Sequence, residues 1–258
     1  GKEGSVGLIT YMRTDSTHVA ASAISEAREF IGGKYGAKFL PPKPRSFVRK
    51  AKWAQEAHEA IRPTKIYRQP EQLEPFLDSA QLKLYELIWK RMVASQMSAA
   101  LYDTTNVEIE ASNAEKQSRF HRGYLLKASS SVVKFPGFIA VYSESRDEDE
   151  RGDSSDFIGV SLPKLRIGGK LIYLGTVPER CFTQPPPRYT EATLIKALEQ
   201  NGIGRPSTYA PIISTIQGRD YVNKTGGKFH PTELGIIVNK ILTEHFPKIV
   251  DLGFTAQM

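Results

Sequence analysis

The spacing of apolar residues changes twice along the chain, and this change limits the fold more than any other feature of the sequence. Up to residue 98 the spacing is helical. Val19, Ala23, Ile24, Ala27, Phe30 and Ile31 recur on one helix face, and Leu82, Tyr85, Ile88, Trp89, Met92 and Val93 recur on another. Asp15 or Ser16 reads as the N-cap of the first helix and Gly32-Gly33 as its stop. The second helix is expected over about 78–97 and reads as core. From 99 to 182 the pattern turns to alternation: Thr105, Val107 and Ile109 mark a half-buried strand. Tyr124-Leu125-Leu126, Ser131-Val132-Val133 and Lys170–Leu174 are further strand candidates, and Arg146–Asp153 is a charged loop between them.

After Pro185-Pro186-Pro187 helical spacing returns. Thr190 caps a helix carrying Leu194, Ile195 and Leu198, which stops at Asn201-Gly202. A second helix starts near Pro206-Ser207, with Ile212, Ile213 and Ile216 as its buried stripe. A hairpin turning at Gly226-Gly227 follows, then a helix over about 232–246 whose Leu234, Ile237, Ile241 and Leu242 read as core. Two helices and a hairpin resemble a helix-turn-helix with a wing. The fold class is α+β and mainly helical, in three segments: 1–98, 99–182 and 183–258.

Charge narrows the function. The 258 residues carry a formal net charge of +7, and residues 1–70, with 13 Lys and Arg against 6 Asp and Glu, account for all of it. Either a polyanion partner or a plain solvated basic surface fits. Residues 34–52 are a proline-rich cationic loop, open to phosphate contact or to a simple mobile surface role. A single cysteine, Cys181, excludes an internal disulfide framework and a cysteine zinc site within the chain. No apolar run is long enough to span a membrane, and a reducing cytoplasm fits.

The richest local chemistry lies in Gly7–Ser16. Leu8–Thr10 read as a short strand leading into the first helix, so Tyr11 and Arg13 fall on a strand-to-helix corner and point to one side. A hydroxyl, a fixed cation and a helix start together make a phosphate site. A free tyrosine hydroxyl titrates near about pH 10, and a neighbouring cation lowers such a value by roughly 1–3 units. Attack on a phosphodiester would leave a phosphotyrosine ester that keeps the energy of the broken bond, so the strand can be rejoined without ATP. The same spacing also suits a packed tyrosine beside a solvated arginine.

Further along, helical spacing puts His58 and Arg62 on one face, with Pro63 ending that helix. Arg62 stands where a zinc motif would need its second histidine, and it suits a phosphate or the Glu59 carboxylate equally. Arg205 and Thr208 sit at the start of the helix that opens at Pro206, and Arg219 at its end.

Four segments, in order, carry a resemblance: Gly7–Ser16; Gln55-Glu56-Ala57-His58-Glu59-Ala60-Ile61-Arg62-Pro63; Asn201-Gly202-Ile203-Gly204-Arg205-Pro206-Ser207-Thr208-Tyr209-Ala210; and Phe254–Met258. Together they resemble the type IA DNA topoisomerases in their bacterial form. The resemblance implies a helical active-site domain, a β-rich arch and a winged-helix-like C-terminal part. It implies that Tyr11 forms a 5′-phosphotyrosyl link, that Arg13 holds the phosphate and that His58 assists cleavage. Thr14, Asp15, Arg62, Arg205, Ser207, Thr208 and Arg219 become DNA contacts, and the partner is single-stranded DNA in negatively supercoiled DNA, in the cytoplasm at the nucleoid. In that family an acidic Toprim domain binds Mg²⁺ and precedes this region. With Tyr11 so near residue 1, the expectation is a fragment that binds no metal itself and needs its Toprim half as partner. Two other readings compete: a non-catalytic single-strand DNA-binding module, and a tyrosine recombinase or type IB-like enzyme, in which the tyrosine comes late rather than first. A nucleotide phosphotransferase finds no glycine-rich loop of the right spacing.

Overall fold

The computed structural model describes residues 6–12, 14, 16–47, 59–111, 123–143, 157–158, 162–183 and 185–257. Two compact units divide the chain, Gly1–Thr176 and Val177–Met258.

The first unit is built on two helices, α1 (Ala21–Lys34) and α3 (Ser79–Ser95), with a short α2 (Pro70–Leu73) between them. Ala23, Ala27, Phe30 and Ile31 of α1 are buried with Tyr85, Trp89, Met92 and Val93 of α3, and Ile66 and Met97 complete the cluster. Phe30 and Trp89 meet edge to face at 5.6 Å. Asp78 caps α3 as the apolar stripe requires: its carboxylate accepts from Ala80 N–H and Gln81 N–H.

Both expected ends of α1 move. Ser16 Oγ accepts from His18 N–H in a local turn, and the helix begins only at Ala21. A carboxylate 39 residues away completes its start: Glu59 Oε1 accepts from Ala20 N–H at 2.8 Å, as the acidic residue of a capping box would. At the other end the helix runs through Gly32 and Gly33 and stops after Lys34, where Gly36 turns the chain with a φ of 94°. The loop that follows is pinned rather than loose. Gln96, 1% exposed, accepts from Arg45 N–H and donates to Arg45 C=O, while Ser98 N–H donates to Phe39 C=O.

The alternating segment forms a long antiparallel ribbon, β1 (Leu101–Ala111) with β2 (Tyr124–Phe135), in register from Tyr102–Val133 to Ala111–Tyr124, with a register shift between Leu101 and Tyr102. The two candidates at 124–126 and 131–133 are thus one continuous strand. A two-residue β3 (Phe157–Ile158) adds to β2 in parallel. Thr104 and Ser131 share a hydroxyl bond at 2.9 Å, and Lys127–Glu108 and Lys134–Asp103 are exposed ion pairs across the ribbon. The expected strand Lys170–Leu174 is not one: residues 162–183, as described, have no regular structure, and Ile172 and Leu174 are 87% and 94% exposed. A strand exists only where a neighbouring edge takes its N–H and C=O groups, and among the described residues no strand lies beside this segment. The charged loop Arg146–Asp153 falls outside the described residues.

The second unit follows its sequence pattern closely. It runs α4 (Glu191–Gln200), α5 (Pro206–Gly218), β4 (Val222–Thr225), β5 (Lys228–Pro231), α6 (Glu233–His245) and α7 (Leu252–Gln257). Thr190 caps α4 through Thr193 N–H, and Thr232 caps α6 through Gly235 N–H. Gly226 and Gly227, both at positive φ, make the two-residue hairpin turn. Ile213 and Phe229 are its buried side chains among the described residues. The reading of α6 as core is corrected: Leu234, Ile237, Ile241 and Leu242 are 38–56% exposed. A helical period shows which face is apolar, not what covers it.

Candidate active site and nucleic-acid interface

The residues around Tyr11 are held by a second segment some fifty positions away. Residues 7–10 and 59–64 run antiparallel, with a bridge between Ile9 and Pro63. Thr10 N–H donates to Arg62 C=O at 2.9 Å, and Thr64 N–H donates to Leu8 C=O at 2.9 Å. The Thr10 hydroxyl donates to Ala60 C=O at 2.9 Å and accepts from Arg62 N–H at 3.0 Å. Thr64 Oγ1 donates to Gly7 C=O at 2.8 Å, and Ala60 N–H donates to His18 C=O at 2.7 Å. Leu8–Thr10 are therefore extended, as their sequence predicts, but as one narrow bridge rather than a strand in a sheet.

This pairing corrects the expected helix through His58 and Arg62. Residues 59–62 form no helix. The proline rule does hold at Arg62, since the residue before a proline is pushed towards extended backbone. His58 itself lies outside the described residues, as do Arg13 and Asp15.

Arg62 takes the carboxylate of its two open roles. Nε donates to Glu59 Oε1 at 2.7 Å, Nη2 to Glu59 Oε2 at 3.1 Å and Nη1 to Pro63 C=O at 2.9 Å. Its side chain is 14% exposed, and Glu59 and Pro63 C=O engage all three guanidinium nitrogens in this structure. Burial pushes the Glu59 carboxyl up, but the Arg62 side-chain bond, the Ala20 N–H and the charges of Arg62 and His18 outweigh it and hold the carboxyl below its usual range. A carboxylate held low in the folded state stabilises above its unfolded pKa, and that contribution is lost as pH falls through the folded value. We expect acid unfolding of the first unit to weaken its pH dependence in Glu59→Gln, read by denaturation midpoints between about pH 6 and 3.

Tyr11 stands at the open end of this pairing. Its side chain is 73% exposed, the following Met12 is equally open, and no described residue hydrogen-bonds the phenol. Thr14 is also exposed. A phosphodiester could thus reach the hydroxyl without any rearrangement of the described residues. The helix-start part of the expected phosphate site is different: α1 begins ten residues after Tyr11, and the Glu59 carboxylate sits at its first turn.

In the second unit, Arg205 is the N-cap residue of α5 and Ser207 and Thr208 lie in its first turn, all exposed. The Thr208 hydroxyl accepts from Arg205 N–H at 2.8 Å and donates to Arg205 C=O at 3.0 Å, so it closes its own helix start. Arg205 Nη1 donates to Gly204 C=O at 2.6 Å. Arg219 is exposed at the C-cap of the same helix, about 20 Å along its axis at ~1.5 Å per residue. Among the described residues no three His, Cys, Asp or Glu come together in a way that could hold a metal ion, and no helix is long and apolar enough to cross a membrane.

Comparison with known proteins decides the family. The sequence profile described as DNA topoisomerase matches residues 4–258. The chain belongs to the DNA topoisomerase family. DNA topoisomerase 1 from two strains of Xylella fastidiosa, Temecula1 and 9a5c, is 47% identical over all 258 residues, which make up 30% of each relative. The crystal structure of full-length topoisomerase I from Thermotoga maritima, in a monoclinic form, superposes with a TM-score of 0.72 at 33% identity, covering all of this chain and 38% of that one. This topoisomerase-family chain therefore spans about a third of the length of the relatives it matches. The mixed helix and strand content expected from the sequence agrees with that structural likeness.

Thr10 and Glu59 brace the segment that carries Tyr11, a role that the sequence does not show for either. Glu59 was visible as a partner three residues from Arg62; Thr10 was not, because its partners lie 50 and 52 positions away.

Proposed function

We propose that this chain is the nucleophile-bearing part of a type IA DNA topoisomerase, which relaxes negatively supercoiled DNA without ATP. The reading rests on one observation: an exposed tyrosine on a hydrogen-bonded backbone, within a chain that matches the topoisomerase family over nearly its whole length. In the first step the Tyr11 oxygen attacks phosphorus. The new O–P bond forms as the bond from phosphorus to the 3′-oxygen breaks, and a proton passes from the phenol to a base while the departing 3′-oxygen gains one. Reversal of the same step rejoins the strand. Arg13 holds the phosphate and His58 assists the cleavage. Thr14, Asp15, Arg205, Ser207, Thr208 and Arg219 contact single-stranded DNA, with the phosphate-facing groups setting register rather than sequence.

Residues 1–98 serve as the active-site segment, 99–182 as the arch and 183–258 as the winged DNA-binding part. Mg²⁺ belongs to an acidic Toprim domain that works with this chain, as the resemblance to the type IA enzymes implies. The working place is the bacterial cytoplasm, at the nucleoid.

The test is capture of DNA in a covalent bond. The chain is mixed with, or fused to, a Toprim domain, given Mg²⁺ and end-labelled single-stranded DNA, and denatured. The expected product is protein joined to the 5′-phosphate side of the break. Salt-dependent binding with no adduct in either format would favour the non-catalytic DNA-binding module instead, and a 3′ linkage would favour the type IB-like class.

A further inference from the structure

We infer that Thr10 is a positioning residue for the reaction, and that its hydroxyl, latched between Ala60 C=O and Arg62 N–H, sets where the Tyr11 oxygen meets the phosphodiester. The inference rests on the assignment of Tyr11 as nucleophile. Thr10 makes three hydrogen bonds to the facing segment: its N–H to Arg62 C=O, its hydroxyl to Ala60 C=O and Arg62 N–H back to its hydroxyl. Beyond it the chain is open. Tyr11 and Met12 are about three-quarters exposed, and no described residue bonds the Tyr11 side chain. Thr10 is thus the last fixed point before the reactive oxygen.

The facing segment is held in turn. Glu59 grips Arg62 through both carboxylate oxygens and reaches Ala20 at the start of α1, and Glu26 Oε1 accepts from Ile66 N–H at 3.0 Å. A hydroxyl that both donates and accepts across two strands fixes separation and register together, which an apolar side chain of the same shape cannot do. Small misplacements matter here, since a shift of about 1 Å can cost roughly 100-fold in rate.

The experiment compares Thr10→Val, Thr10→Ser and Tyr11→Phe in this chain fused to a Toprim domain. Single-turnover adduct formation, affinity for single-stranded DNA and thermal unfolding are read for each. Thr10→Val keeps the shape and removes the hydroxyl; it is expected to slow adduct formation by about 10- to 100-fold with affinity unchanged. Thr10→Ser restores the hydroxyl and is expected to restore the rate to within about threefold. A Thr10→Val variant that cleaves at the parent rate overturns the inference. So does one whose loss is matched by weaker binding, or one that Thr10→Ser fails to rescue. If Thr10→Val does not fold, Glu59→Gln carries the test by loosening the far side of the same brace: several-fold slower cleavage at unchanged affinity supports the latch, and the parent rate overturns it. An adduct that persists in Tyr11→Phe refutes the nucleophile itself, which separates that failure from failure of the latch.

Discussion

Tyr11→Phe, in this chain joined to a Toprim domain, is expected to abolish covalent capture of DNA and to leave affinity for single-stranded DNA within about twofold. The substitution removes one oxygen from a side chain that is 73% exposed and bonded by no described residue, so it leaves no buried donor or acceptor unpaired and the fold has nothing to lose. The chemistry loses everything, because phenylalanine has no atom that can bond to phosphorus. Binding draws instead on phosphate contacts spread over other cations, which the change does not touch. Denaturing gels with labelled DNA and a parallel binding titration check both halves. Persisting capture would mean another nucleophile, and lost binding would make Tyr11 a contact rather than the reacting group.

Trp89→Ala gives the largest loss of stability. Trp89 is 3% exposed, packs edge to face on Phe30 at 5.6 Å and donates from Nε1 to Ile66 C=O at 2.8 Å. Truncating a buried tryptophan costs about 3–5 kcal/mol, a large share of the roughly 5–15 kcal/mol that holds a domain folded. The effect reaches the site by a short route, since Ile66 follows directly on the segment that braces Thr10. We expect a lowered denaturant midpoint for the first unit, with Trp89→Phe, which keeps most of the packing, losing much less. A midpoint close to that of the parent would show that the Phe30–Trp89 contact is not the centre of this core.

Most of the elements were legible because they depend on local chemistry. Thr190 is a cap in sequence and in the structure, Gly226-Gly227 is a turn in both, and the stripe of Tyr85, Trp89, Met92 and Val93 is buried as its spacing requires. The errors share one cause. The sequence puts the N-cap of α1 at Asp15 or Ser16, but the helix starts at Ala21 with Ala20 as N-cap, whose N–H donates to Glu59 from 39 residues away. Residues 59–62 were given a helix from the spacing of His58 and Arg62, but they pair with residues 7–10 and form no helix. Lys170–Leu174 has strand residues and no neighbouring strand among the described residues. Leu234, Ile237, Ile241 and Leu242 form the apolar face of α6 and stay exposed.

The same division runs through the site. Periodicity, capping and turn chemistry act within a few residues, so the order of helices, ribbon and hairpin could be read from the chain alone, whereas Tyr11 as the candidate nucleophile came with the family resemblance. Which partner Arg62 takes, and how Thr10 comes to hold the backbone before Tyr11, depend on hydrogen bonds across about fifty residues. Such contacts form only when the core of α1 and α3 brings the two segments together, and no local pattern encodes a pairing of that range.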